Sequence, residues 1–253
     1  MSTTTPSPLV ILTGASRGLG LAMARQVLAR PGVRLLTISR QRPALEAPAG
    51  ATLTCWQADL ADPVPLAARL AEWLATQADA APAAVDFIHN AGVISTPAPL
   101  SASADAELSN AIRVGVEAPL VLTAAFLRAT ASWQAPRRVC FISSGLGRRA
   151  MAGSAAYCAA KAGLDHLARA LALEEAQAER GAKVVSLAPG VIDTDMQVQL
   201  RGADPTLFPE RARFAGLHEG GLLDSPETAA AKVLAYLERA DYGVNAIGDV
   251  RDA

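Results

Sequence analysis

The chain has 253 residues, 51% of them apolar and 19% charged, with a formal charge of −1. That composition can bury a core and does not favour disorder. No Lys or Arg run is long enough to track a nucleic-acid backbone, so nucleic acid is not an expected partner. Arg, Asp or Pro also breaks every apolar run before the roughly eighteen residues of a membrane span, so no membrane partner is expected.

Met1 to Pro8 is a Ser, Thr and Pro segment with neither the cationic start nor the apolar stretch of a secretory signal. It reads as a flexible tail, and the expected location is cytoplasmic. Leu9–Leu12 is a short apolar run ending in a glycine cluster, after which Leu19, Met23 and Val27 recur every four residues. That pattern is strand, turn, helix. Leu35–Ile38, Leu53–Trp56, Val85–His89, Val139–Ile142 and Val184–Ala188 are five further strand candidates, mostly separated by helical stretches. Asp62-Pro63 and Ser225-Pro226 place a capping residue before a proline at the first helical position and mark two helix starts. Cys55, Cys140 and Cys158 are scattered without metal-ligand spacing, so neither a disulfide nor a metal is expected.

Apolar strands alternating with helices predict an α/β fold: a single doubly wound parallel β-sheet (a Rossmann fold) with helices on both faces. Pro and Gly are spread along the chain rather than gathered in a linker, so 1–253 is read as one domain. The stretch 194–223 has no clear period and reads as a long, functional or mobile loop.

Thr13-Gly14-Ala15-Ser16-Arg17-Gly18-Leu19-Gly20 follows the first strand and opens a helix. Glycines there let the backbone turn tightly and approach a pyrophosphate at the helix N-terminus, although a glycine-rich loop alone is equally an ordinary turn. About twenty residues on, an NAD site carries an acid for the ribose hydroxyls, but this chain has Ser39-Arg40-Gln41-Arg42. Arg40, with Arg17, suits the 2′-phosphate of NADP instead, against the plainer reading of two solvated arginines. Asp59 with Leu60, and Asn90-Ala91-Gly92, follow the third and fourth strands, where open α/β sheets bind ligands. His89 has no evident acid partner and reads as strand-end packing.

Tyr157 and Lys161 are four apart in the alanine-rich stretch Ser154–Gln177, and so share one helix face. A free tyrosine has a pKa of about 10. Positive charge from Lys161 and from an oxidised nicotinamide is expected to bring it toward the working pH. Such pairs are common on plain helices, and Ser144, thirteen residues earlier at the end of the fifth strand, is what makes this one chemical.

Together these motifs resemble the short-chain dehydrogenase/reductase family over nearly the whole chain: T-G-x-x-x-G-x-G at Thr13–Gly20, N-A-G at Asn90–Gly92, Ser144, Y-x-x-x-K at Tyr157 and Lys161, and Pro189-Gly190 after the sixth strand. The resemblance implies an enzyme that passes a hydride from NADPH to a carbonyl. Tyr157 would protonate the oxygen, Ser144 hold it and Lys161 anchor the nicotinamide ribose, with Pro189, Gly190, Val191, Ile192 and Thr194 lining the nicotinamide. It also implies a homodimer or homotetramer. One departure is Gly115, where many members carry an asparagine that supports a helix kink and a water leading to the lysine. Glycine permits a kink but supplies no side chain.

The segment Pro189–Gln197, P-G-x-x-D-T-D-M-Q, is similar to that of sepiapterin reductases and bacterial benzil reductases. This implies a vicinal dicarbonyl, or a side-chain ketone on a flat ring, as substrate. Leu146, Met151 and Met196 are placed to line its pocket. Arg148 and Arg149 read either as a solvated turn or as selectors of an anionic substrate. The rival readings are an NADP(H)-sensing regulator without turnover and, among enzymes, a ketoacyl or alcohol oxidoreductase.

Overall fold

The computed structural model describes residues 7–78 and 82–252. Seven parallel strands form one sheet in the order β3-β2-β1-β4-β5-β6-β7. They are β1 (Leu9–Thr13), β2 (Arg34–Ser39), β3 (Thr52–Gln57), β4 (Val85–His89), β5 (Arg137–Ile142), β6 (Lys183–Ala188) and β7 (Ile247–Asp249). The first six match the apolar runs. The seventh, Ile-Gly-Asp, is three residues long and carries no apolar run to announce it.

Side chains alternate across each strand and divide the core into two layers. Leu9, Ile11, Phe87 and Phe141 face α2 (Pro63–Gln77), α4 (Ala118–Ala129) and α5 (Ala155–Glu175), whose Leu70, Leu122 and Leu164 cover them. Val10, Leu12, Ile88 and Val185 face α1 (Gly18–Leu28) and α8 (Pro226–Leu237), which contribute Met23, Val27 and Val233. Burial on both faces is why these strands read as continuous apolar runs.

Both proline-marked helices begin where expected, and they are capped differently. Ser225 accepts from the Thr228 N–H at 3.1 Å, whereas the Asp62 side chain makes no capping bond. The expected tail ends sooner than Pro8: the carbonyls of Ser7 and Pro8 accept from the N–H groups of Ala83 and Arg34. Residues 1–6 lie outside the described ones. The stretch 194–223 is not an unstructured loop but holds two short helices, α6 (Asp195–Arg201) and α7 (Arg211–Glu219), too brief to show a period in sequence.

A continuous helical run spans Asp105–Ala129, formed by α3 (Asp105–Ile112), a π-helical turn (Arg113–Glu117) and α4. It is long and apolar enough to cross a bilayer, and its buried residues pack on the sheet, which accounts for that apolarity. The π turn is the distortion expected at Gly115, where a β-carbon would stand 2.9 Å from that of Ala160 on α5. A side chain at 115 would push α5 away.

His89 closes β4 as packing. Its ring stacks on Phe141 at a centroid distance of 5.1 Å, lies 3.9 Å from Phe87, and bonds Thr123 on α4 through Nε2 at 2.9 Å. Burial pushes its pKa down to about 3. Below pH ~6.5 the unfolded chain gains a proton there that the folded chain refuses, so stability falls as pH drops from 6.5 toward 3. Relative to His89→Phe, wild type should lose about 2 kcal/mol more stability between pH 6.5 and 4.5, at 1.36 kcal/mol per pH unit. Urea unfolding at the two pH values measures this, and an unchanged gap contradicts it.

Candidate active site

Strand order reverses between β1 and β4, and helices leave the sheet on opposite faces from those two strands. A crevice opens there at the carboxyl ends. Its floor is fixed by a clasp across the reversal. Thr13 Oγ1 accepts from the N–H groups of Asn90 and Ala91 at 3.0 and 3.1 Å, and Asn90 Nδ2 donates to the carbonyls of Thr13 and Gly14 at 3.1 and 3.0 Å. The Asn90 amide is thus committed to holding β1 against β4.

The glycine loop fits tightly over this clasp. Gly14 sits at φ +71° with Ala91 Cα 2.8 Å from where a β-carbon would stand. A β-carbon at Gly20 would collide with the Gly14 carbonyl and come within 2.5 Å of Asn90 Nδ2. These close approaches keep a backbone-lined concavity at the start of α1, the arrangement that receives a pyrophosphate. The cleft above it measures about 1240 Å³, room for a dinucleotide and a substrate together. Gly14, Ser16, Arg17, Gly18, Leu19 and Gly20 line it on one side. Arg40, Asp59 and Leu60 close its nucleotide end, and Ala91, Gly92 and Pro189 through Ile192 lead toward Thr194.

Arg40 is exposed at this rim. Arg17 is not free in the same way: its Nη1 donates to Asp195 at 2.8 Å, joining the glycine loop to the first residue of α6. The Asp59 carboxylate accepts from the Ala61 N–H at 2.9 Å and so shapes the turn before α2.

The other wall is built by α5. Tyr157, Lys161 and Asp165 recur every four residues on one face of it, directed at the ends of β5 and β6. Lys161 is 5% exposed, and its ammonium donates to the Ile142 carbonyl at 2.6 Å. Burial lowers its pKa to about 8, with nearby Asp165 acting in the opposite direction. Burial also pushes the Tyr157 phenol up to about 12, opposed by a hydrogen bond from Ser144. The expected lowering of the phenol joined Lys161 to an oxidised nicotinamide; in the chain alone burial outweighs it. The ammonium stands 5.6 Å from the Tyr157 ring centroid and is bonded to β5.

Ser144 lies two residues past β5, in extended backbone. Its Oγ accepts from the Leu146 N–H at 3.2 Å, which leaves its own proton to give. The neighbouring Ser143 turns inward. Its hydroxyl and that of Ser186 on β6 donate to Asp165 Oδ1 at 2.6 and 2.7 Å, while Arg148 Nε donates to Oδ2 at 3.3 Å. Arg148 also donates to the Gly248 carbonyl at 2.8 Å, reaching β7. The solvated-turn reading of Arg148 is thus corrected: it ties the loop after Ser144 to the helix and the sheet.

The ends of the 194–223 segment are clasped by backbone bonds between Asp193 and Asp224 and between Asp224 and Val191, 3.0 and 2.9 Å long. Inside it, Phe208 is fully buried, stacks on Phe214, and lies 2.8 Å from where a β-carbon on Gly153 would stand, just before α5. Met196 and Phe214 face the cleft opposite Leu146 and Met151. Every residue singled out from the sequence as catalytic, cofactor-binding or substrate-binding lines this one cleft. Others that line it had gone unmarked. Val93 and Ile94 simply extend the N-A-G turn. Gln197, which closes the P-G-x-x-D-T-D-M-Q segment without an assigned role, is 7% exposed with its Oε1 unpartnered, and no local pattern signals that burial.

The family model described as short chain dehydrogenase matches residues 8–204. A benzil reductase ((S)-benzoin forming) of Bacillus cereus is 32% identical over 237 residues, covering 92% of this chain and 95% of that protein. A sepiapterin reductase of Xenopus tropicalis is 33% identical over 254 residues, 93% of each. The solved KRED1-Pglu enzyme superposes with a TM-score of 0.80 at 24% identity, covering 96% of this chain and all of that one. With its crevice at the β1/β4 reversal and its Ser, Tyr and Lys on one wall, the chain belongs to the short chain dehydrogenase family.

Proposed function

We propose that this oxidoreductase is an NADPH-dependent carbonyl reductase acting on vicinal dicarbonyls, with Tyr157 as proton donor. The reading rests above all on one juxtaposition: the Tyr157 phenol and the Ser144 hydroxyl in the same cleft as a dinucleotide cradle. The cofactor, when bound, supplies a hydride to the carbonyl carbon and leaves oxidised. Ser144 donates to the carbonyl oxygen and polarises it. Tyr157 gives that oxygen the proton that completes the alcohol, and the buried Lys161 fixes the wall from which it does so.

Preference for NADPH is supported by Arg40, exposed at the nucleotide end where no carboxylate follows β2 to accept from a ribose. Arg17 is a secondary phosphate partner, since it must first leave Asp195. The dicarbonyl reading draws on the benzil reductase likeness and on the apolar Leu146, Met151, Met196 and Phe214, which suit a flat aromatic substrate. The sepiapterin reductase likeness favours, as a second reading, a side-chain ketone on a pterin-like ring.

With benzil and sub-stoichiometric protein, NADPH oxidation should run for many turnovers. Tyr157→Phe should lower kcat at least about a hundredfold, the scale of lost general acid catalysis, with little change in NADPH affinity. Undiminished turnover in that variant rejects Tyr157 as the acid. Wild-type protein that binds NADPH but never consumes it supports a sensing role instead. Arg40→Asp should move the ratio of kcat/KM for NADPH over NADH at least about tenfold toward NADH, on the scale of a charge-assisted hydrogen bond. An unchanged ratio removes Arg40 from that role.

A further inference from the structure

The two adjacent arginines between Ser144 and Tyr157 have separate tasks. Arg148 is spent on Asp165 and the Gly248 carbonyl. Arg149 turns the other way and lines the cleft. Its backbone N–H is anchored to the Gly145 carbonyl at 3.2 Å, and its Nε lies 3.9 Å from where a β-carbon on Gly145 would stand. Gly145 directly follows Ser144, and the exposed Arg149 and Ser144 line the same cleft.

Charge in the cleft is unbalanced. Six cationic side chains and three carboxylates line it, in a chain whose formal charge is −1. Arg17 is paired with Asp195, Arg201 with Asp193 at 3.2 Å, and Arg251 with Asp249 at 2.8 Å, while Lys161 is bonded to β5. Among the described residues, two cleft guanidinium groups have no carboxylate partner, Arg40 and Arg149. They stand at opposite ends. Arg40 follows β2 at the nucleotide end, where the cofactor phosphate accounts for it. Arg149 stands at the catalytic end, among Leu146 and Met151, where no part of the proposed cofactor chemistry calls for a cation.

We propose that Arg149 receives an anionic group of the substrate, and that the preferred carbonyl substrate carries a carboxylate. This rests on the reductase reading above and narrows it. A 2-oxo acid is a vicinal dicarbonyl whose second carbonyl is ionised; its ketone takes up hydride and proton to give a 2-hydroxy acid, NADPH becomes NADP⁺, and the carboxylate is unchanged. A guanidinium donates two parallel hydrogen bonds to a carboxylate, so it orients the substrate as well as attracting it.

Two matched pairs test this, each differing by one negative charge: phenylglyoxylate against its methyl ester, and benzil bearing one para-carboxylate against its methyl ester. The reading is the ratio of kcat/KM for acid over ester, by NADPH oxidation at fixed ionic strength. Arg149→Met should lower that ratio about tenfold in at least one pair, through KM, the scale of one charge-assisted contact. Arg149→Lys should keep part of the preference and Arg149→Glu should lower it further. Among the described residues the Arg149 side chain makes no hydrogen bond or ion pair, and circular dichroism checks that each variant is folded. A fall smaller than threefold in both pairs overturns the proposal. If the esters are then still reduced, the reductase reading stands without it; if none of the four compounds nor benzil is reduced, that reading fails too.

Discussion

The Asp165 carboxylate is 2% exposed and could not remain there uncompensated, since an unpaired buried charge costs several kcal/mol. It is met by two serine hydroxyls from adjacent strands and by Arg148 from the loop that follows Ser144. Those donors fix the rotation of α5 about its own axis. Tyr157 and Lys161, two turns and one turn before Asp165, are aimed by that same rotation. Ser144 shares the constraint, because its neighbour Ser143 is one of the donors. The positions of Ser144, Tyr157 and Lys161 thus follow from how a single carboxylate is satisfied.

A second constraint acts from behind. The π turn at Arg113–Glu117 brings Gly115 against Ala160, so α5 is seated between a close helix contact and the sheet. The Thr13–Asn90 clasp sets the height of the glycine loop on the opposite wall. Rigid elements position both walls, while the segment that carries Met196 and Phe214 is made of two short helices spliced onto the sheet.

Much of this was legible because the requirements are local. Backbone approach to a phosphate demands glycine at fixed offsets, a shared helix face demands four-residue spacing, and strands buried on both sides read as apolar runs. What escaped depends on partners distant in sequence. Arg148 reads as a surface residue until Asp165 and Gly248 are brought to it. Lys161 reads only as a charge beside a phenol until the fold shows its ammonium also anchored on the Ile142 carbonyl. β7 is recognisable only by pairing with β6, and α6 and α7 only by what they cover. Gln197 is buried by tertiary packing alone.

The two fastenings of the 194–223 segment differ in kind. At one end, Arg17 meets Asp195 with both side chains about 70% exposed, a pair that mobile ions shield readily. Further along, Phe208 is sealed between the turn before α5 and Phe214, an attachment to which dissolved salt is nearly indifferent. The segment is therefore fastened unevenly: brine weakens the tie of its leading edge to the glycine loop and leaves its seat beside α5 in place.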